Sequence, residues 1–296
     1  MGQDAVAKPD SDDFEDEWQR SSENSVVENA MLLVVDVGNT NTVFGLFEPG
    51  SSTIVATARM STRRDRMPDE WYAILAPVLE SAHIRTSQIT SMVISSVAPS
   101  VTRWLTAMGR EKMRIEPLIV TVDLNLGIGI DYPLPWEIGA DRLVNSLAAF
   151  TKYGGPLISI DFGTAINFDV VDHHGNYIGG ALAPGLIVAL DAMTSRAARL
   201  FTVDLVKPER AIARSTTSAI QSGIVLGYLS LIEGMIQRIT NELQGEPTVI
   251  VTGGYSEIFA DASPLIDAFE PDLTIEGLRL VHELNRPDTT GGDPIR

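Results

Sequence analysis

The segment Val34-Val35-Asp36-Val37-Gly38-Asn39-Thr40-Asn41-Thr42-Val43-Phe44-Gly45-Leu46-Phe47 reads as two apolar strands joined by a tight polar turn. Asp36 closes the first strand. Gly38 lets the chain turn sharply, and Asn39, Thr40, Asn41 and Thr42 crowd the turn with amides and hydroxyls. Such a turn can aim several N–H and O–H donors at a phosphate while the carboxylate holds a cation against it. An ordinary hairpin uses the same residue types, so this one stretch leaves both readings open.

A second copy narrows the choice. Ile158-Ser159-Ile160-Asp161-Phe162-Gly163-Thr164-Ala165-Ile166-Asn167-Phe168-Asp169-Val170-Val171 repeats the plan, aligning Asp36 with Asp161, Gly38 with Gly163 and Asn39 with Thr164. A repeat at this separation predicts two related halves facing each other. Further on, Val249-Ile250-Val251-Thr252-Gly253-Gly254-Tyr255 is an apolar strand ending in a glycine pair. Glycines there allow close approach of a base and sugar, although a strand-to-helix turn would also use them.

These three motifs resemble the phosphate-1, phosphate-2 and adenosine motifs of the superfamily of acetate and sugar kinases, heat-shock chaperones and actin. Within it the wording is similar to the type III pantothenate kinases. The match is carried by Asp36 to Thr42, Gly139-Ala140-Asp141-Arg142, Asp161-Phe162-Gly163-Thr164-Ala165 and Thr252-Gly253-Gly254, in family order, from about Met31 to about Asn285. The resemblance implies an α/β fold of two ribonuclease-H-like (actin-like ATPase) halves with a cleft between them. It also implies ATP-dependent phosphorylation of pantothenate to 4′-phosphopantothenate, the first step toward coenzyme A.

Carried over residue by residue, the resemblance gives ATP-binding roles to Asp36, Val37, Gly38, Asn39, Thr40, Asn41, Thr42, Val43, Thr164, Gly253 and Gly254. Tyr132, Gly139, Ala140, Asp141, Arg142 and Thr216 would bind pantothenate, with Asp141 the catalytic base. Asp161 would ligate a monovalent cation, potassium or ammonium, and Asp36 would help place Mg–ATP. The family is dimeric. Read without the resemblance, Asp141 is a helix-capping acid and Arg142 a surface ion-pair partner. A helix start also favours the ionised form of Asp141, and so a weak base. That suffices for phosphoryl transfer, whose loose transition state needs the hydroxyl aimed more than stripped.

The 296 residues suffice for one large domain or two ordinary ones, and 44% hydrophobic content is that of a soluble protein. The organisation read from the chain is an acidic, disordered tail at 1–30, a first half at 31–135 and a second at 136–296. The net charge of −17, of which −7 falls in the tail, argues against nucleic acid or an anionic membrane as partner. With no cysteine there is neither disulfide nor thiolate site, so a bound metal would be a hard cation on oxygen. No secretory signal or membrane-length apolar run is present, which makes the expected location cytoplasmic. A Walker-A run is also missing, so phosphate binding falls to the two hairpins.

Periodicity predicts strands near 52–59, 90–97, 117–122, 157–161, 165–172, 177–183 and 248–252, with helices at 68–81 and 99–108. Residues 219–243 read as one long helix, apolar on more than one face, which fits either a buried core helix or a subunit interface. His173 and His174 read as turn residues pointing apart. Arg59, Arg63, Arg64 and Arg66 read as a solvated face answered by Asp65, Asp69 and Glu70. Three departures from the family wording stand out. Ile166 and Asn167 replace two threonines, and Ala213 replaces a glycine before Ser215-Thr216. A non-catalytic regulatory relative and another kinase or hydrolase of the superfamily are the competing functions. Asp36, Asp141 and Asp161 argue against the first, and Gly139-Ala140-Asp141-Arg142 against the second.

Overall fold

A computed structural model describes residues 30–48, 50–196 and 202–286, so the expectation for the acidic tail lies outside the described residues save for Ala30. The first hairpin forms β1 (Met31–Val37) and β2 (Asn41–Phe47), and β3 (Ile54–Ser61) pairs antiparallel with β2. On the other side of β1, β4 (Ile89–Ser96) and the short β5 (Leu118–Ile119) run parallel to it, giving the order β3-β2-β1-β4-β5. The second sheet repeats that plan. Its strands β7 (Leu157–Phe162), β8 (Ala165–Val171), β9 (Asn176–Pro184), β10 (Thr248–Thr252) and β11 (Ala268–Phe269) stand in the order β11-β10-β7-β8-β9. Beyond β9, β6 (Gly129–Ile130) adds a parallel edge. Three antiparallel strands followed by two parallel ones, twice over, are the two ribonuclease-H-like sheets that the internal repeat predicts.

Each central strand is buried on both faces, which is why β1 and β7 read as continuous apolar runs. Leu33, Val35 and Val37 pack outward on Trp71 and Leu75 of α1 (Pro68–Ser81) and on Val101 and Leu105 of α2 (Pro99–Met108). In the second half, Ile158, Ile160 and Phe162 face a separate outer core that includes Leu186 and Leu190 of α4 (Leu186–Arg196). The inner faces meet two helices. Leu32 and Val34 pack against Leu143, Val144 and Leu147 of α3 (Ala140–Tyr153) and Ile275, Leu278 and Val281 of α7 (Leu273–Leu284). The last helix among the described residues thus covers the first sheet, and one core joins the two sheets.

The long helix predicted at 219–243 is present as one helix from Thr216 to Glu242 with a π-helical turn inside it. It comprises α5 (Thr216–Gln221), a π-helical turn at Ser222–Leu226 and α6 (Gly227–Glu242). Only 28% of its most apolar stretch is buried within this chain, which removes the reading of a fully buried core helix. By length and composition alone it could cross a membrane. Glu233 and Arg238 lie in it, and its Tyr228 hydroxyl donates to Pro184 O at 2.8 Å.

Candidate active site

The two polar turns converge. The Thr40 and Thr164 hydroxyls, 124 residues apart in sequence, are 2.8 Å from each other and exposed. The first turn is braced from within: Gly38 N–H donates to Asn41 O at 2.9 Å, and Thr62 Oγ1 donates to Gly38 O at 2.8 Å. The Thr42 hydroxyl lies 3.0 Å from Thr62 Oγ1 and is fully buried, so it stiffens the loop rather than facing the cleft. In the second turn Gly185 N–H donates to Thr164 O at 3.0 Å, and a Cβ on Gly185 would lie 2.4 Å from that oxygen. Both turns therefore present Thr40, Asn39, Asn41 and Thr164 outward on rigid supports.

Asp36 and Asp161 stand behind these turns on the inner faces of their sheets. Asp36 lies in one row with Ser95 of β4, Val43 of β2 and Arg59 of β3. Its Oδ1 is buried without a hydrogen-bond partner among the described residues. Asp161 pairs in register with Thr252 of β10, immediately before the glycine pair. Gly253 has φ +93°, and a Cβ there would sit 2.3 Å from Asp161 Oδ1, so the glycine makes room for that carboxylate.

Asp141 enters from the start of α3. Its Oδ1 accepts the Arg142 N–H at 2.9 Å, and a Cβ on Gly139 would lie 2.4 Å from the same oxygen. Arg142 turns the other way, donating through Nε to Oδ1 of Asp169 at 2.7 Å, and Tyr177 donates its hydroxyl to that oxygen at 3.0 Å. The Arg142 guanidinium carbon is 5.7 Å from the centre of the Tyr177 ring, and the Tyr132 ring meets Tyr177 edge-on at 6.1 Å. Tyr132, Gly139, Asp141 and Arg142 therefore share one wall. Thr216 begins α5, is exposed, and makes no hydrogen bond to that wall among the described residues.

The electrostatics follow from gathering carboxylates in a partly dry cleft. Burial, then the Asp141 charge, pushes Asp36 up to about 7, with the Ser95 hydroxyl and Arg59 opposing. Burial, then Asp141, Asp36 and Asp169, pushes Asp161 up to about 8. Asp141 is also raised by burial, against the pull of the Arg142 N–H and guanidinium. The helix start alone favours the ionised form of Asp141, but desolvation outweighs it and the net direction is upward. Among the described residues no three Asp, Glu or His side chains form a closed metal cage. The donor set, with an orphaned Asp36 oxygen and an Asp161 carboxylate cradled by glycine, fits cations whose remaining ligands come from phosphate oxygens and water.

Several residues differ from their sequence reading. Arg59 lies over the cleft: it acts on both Asp36 and Asp161, and its Nη1 would be 3.3 Å from a Cβ on Gly254. Two of the three acids expected to answer the basic cluster are engaged elsewhere, Asp69 with Lys112 and Glu70 with the Met67 N–H. Arg66 stacks 4.6 Å from the Trp71 ring, and Trp71 is fully buried. His173 and His174 lie in a turn, where strand alternation does not apply, and their rings are 3.7 Å apart. Ile166 is fully buried in the outer core beside Phe162 and Phe168, so a hydroxyl at that position would not face the phosphates. Ala213 is not among the residues with left-handed backbone, so its turn does not need glycine. Asp169 and Tyr177 were missed. The available signal was an aspartate inside the apolar run Phe168-Asp169-Val170-Val171.

The family model for type III pantothenate kinase matches residues 32–238. The chain belongs to that family. A type III pantothenate kinase of Thermomicrobium roseum is 46% identical over 253 residues, covering 86% of this chain and 97% of that protein. One from Roseiflexus sp. strain RS-1 is 41% identical over 256 residues, covering 86% and 100%. Among solved structures, a Baf family transcriptional activator from Campylobacter jejuni aligns with TM-score 0.53 at 18% identity, covering 86% and 98%, which shows a shared fold alone.

Proposed function

We propose that this member of the type III pantothenate kinase family transfers the γ-phosphoryl group of ATP to the terminal hydroxyl of pantothenate. The observation that carries the reading is the meeting of Thr40 with Thr164 beside Asp36 and Asp161, with Asp141 brought to the same cleft by α3. The turn from Asp36 to Val43 would hold phosphates through Asn39, Thr40 and Asn41 and the backbone of Val37, Gly38 and Thr42. Thr164 would contact them from the other sheet, and Gly253 and Gly254 would lie along the adenosine.

Asp141 would accept the hydroxyl proton as the oxygen attacks the γ-phosphorus, while the bond to the β,γ-bridging oxygen breaks and its electrons leave with ADP. Its raised pKa favours taking that proton late in a loose transition state. Gly139 and Ala140 set the turn that aims it. Arg142 would clamp the pantothenate carboxylate, with Tyr132 forming the wall beside it and Thr216 closing the pocket. Asp161 would hold a potassium or ammonium ion and Asp36 the magnesium of Mg–ATP; when bound, these neutralise phosphate charge.

We take 31–135 and 136–296 as the two halves, bridged by β6 and α7. A homodimer through α6 is supported by its largely uncovered apolar face, including Leu231 at 36% exposure. A cytoplasmic location is supported by the acidic composition and absence of cysteine. A substrate panel tests the reaction. Purified protein with Mg–ATP should release ADP with pantothenate and not with hexoses, acetate or polyphosphate; turnover of a sugar in preference would overturn the assignment.

A further inference from the structure

We infer that Asp169 and Tyr177 form a buried anchor that fixes the Arg142 guanidinium with one edge open to the cleft, so that the enzyme selects an acceptor bearing a carboxylate. The inference rests on the pantothenate reading and adds the element that sets acceptor specificity. Asp169 is a positioning residue: it touches Arg142, not the substrate.

Asp169 sits in the middle of β8, paired in register with Ser159 of β7 and Gly180 of β9, and its side chain is fully buried. Its neighbours Phe168, Val170 and Val171 are core residues, and an apolar side chain would pack there at less cost than a carboxylate. The charge is incompletely satisfied as well. Arg142 Nε and Tyr177 Oη both donate to Oδ1, whereas Oδ2 has no partner among the described residues. A buried ion pair contributes little net stability, so stability does not account for this one.

What the pair does is hold Arg142. With Nε committed to Asp169, the guanidinium plane is fixed, and the Tyr177 ring limits its swing from a second side. The Arg142 side chain keeps 15% of its exposure, and its Nη atoms make no hydrogen bond among the described residues. The two Nη groups are the outer fork that grips a carboxylate in a bidentate pair. Arg142 also follows Asp141 directly in the chain, so clamp and base stand at a fixed separation. A substrate held by its carboxylate then places its far hydroxyl at the base, whereas an uncharged analogue leaves the two Nη groups partly desolvated without a charged partner.

The test compares kcat/KM for pantothenate with that for its primary amide, in wild type, Asp169→Asn and Tyr177→Phe. Wild type should prefer pantothenate by about 100-fold or more, the range for losing a charge-assisted bidentate contact. Asp169→Asn should raise the pantothenate KM by about tenfold or more, leave the ATP KM unchanged, and bring the acid-to-amide ratio down to about ten or less. Tyr177→Phe, which keeps the ion pair and the ring, should lower the ratio about threefold. Should Asp169→Asn fail to fold, Tyr177→Phe decides alone. A ratio unchanged in the folded variants, even with activity lost, would overturn the anchor role and leave a structural one. A wild type that phosphorylates pantothenate and its amide equally well would overturn the inference but not the kinase reading, and a wild type inactive on both would remove the reading itself.

Discussion

Gly253 and Gly254 are adjacent, yet alanine should be severe at the first and mild at the second. Gly253 has φ +93°, where an L-residue costs about 1–2 kcal/mol. Its new Cβ would stand 2.3 Å from Asp161 Oδ1, 2.7 Å from Phe162 N and 2.8 Å from Phe162 C. The last two are backbone atoms of β7 and cannot rotate away, so the ends of β7 and β10 must part by about half an ångström or more. Strain of that kind adds roughly 1–2 kcal/mol, for a total near 3 kcal/mol. In a protein of this size that lowers the melting temperature by about 6–12 °C. The Asp161 carboxylate must also move by about 1 Å, enough to raise the ATP KM by about tenfold or more. A Cβ on Gly254 would meet only the flexible end of Arg59, at 3.3 Å, so Gly254→Ala should stay within about 0.5 kcal/mol of wild type. Thermal melts and ATP titrations of the two variants decide the matter. Melting temperatures within a degree of each other, or undiminished ATP affinity in Gly253→Ala, would refute the reasoning.

Three further expectations follow from the site. Burial raises Asp36 and Asp161 to about 7 and about 8, above their unfolded values, so the stability they contribute is present at low pH and lost as pH rises through those values. The ligand-free protein should melt lower at about pH 8.5 than at about pH 5.5, the slope flattening in Asp161→Asn; a wild-type melting temperature that climbs over this interval would contradict it. Gly139→Ala puts a methyl 2.4 Å from Asp141 Oδ1, so kcat should fall about 100-fold with little change in melting temperature, and undiminished turnover would count against Asp141 as base. Arg59→Ala should raise the ATP KM about three- to tenfold without affecting the pantothenate KM, measured by steady-state kinetics, and an equal rise in both would show that Arg59 acts on the cleft as a whole.

Local signals were legible wherever a residue is costly for its setting. Asp36 and Asp161 end apolar strands, and glycines follow at fixed spacing, so the paired hairpins could be read directly from the chain. The contact between Thr40 and Thr164 depends on how two sheets face each other, and no local pattern encodes that. Arg59 misled for the same reason. It was grouped with the arginines at 63, 64 and 66 that follow it in sequence, but its neighbours in space lie across β2 and the cleft. Ile166 stands where the family wording has a threonine, yet its pairing with Phe162 turns it into the outer core, which the substitution alone does not reveal. A one-residue shift in facing decides such cases, and periodicity fixes facing only once strand ends are known. Asp169 was legible in principle as a charge in an apolar strand, but its partners, Arg142 and Tyr177, come from a helix start and the next strand.

The most direct test is ADP release by the purified protein with Mg–ATP and pantothenate, in potassium and in sodium buffer, beside Asp141→Asn. The site described above should give pantothenate-dependent turnover that needs potassium and is lost in Asp141→Asn while that variant still binds pantothenate. A folded wild type that neither binds nor phosphorylates pantothenate, or an Asp141→Asn variant with undiminished turnover, would contradict it.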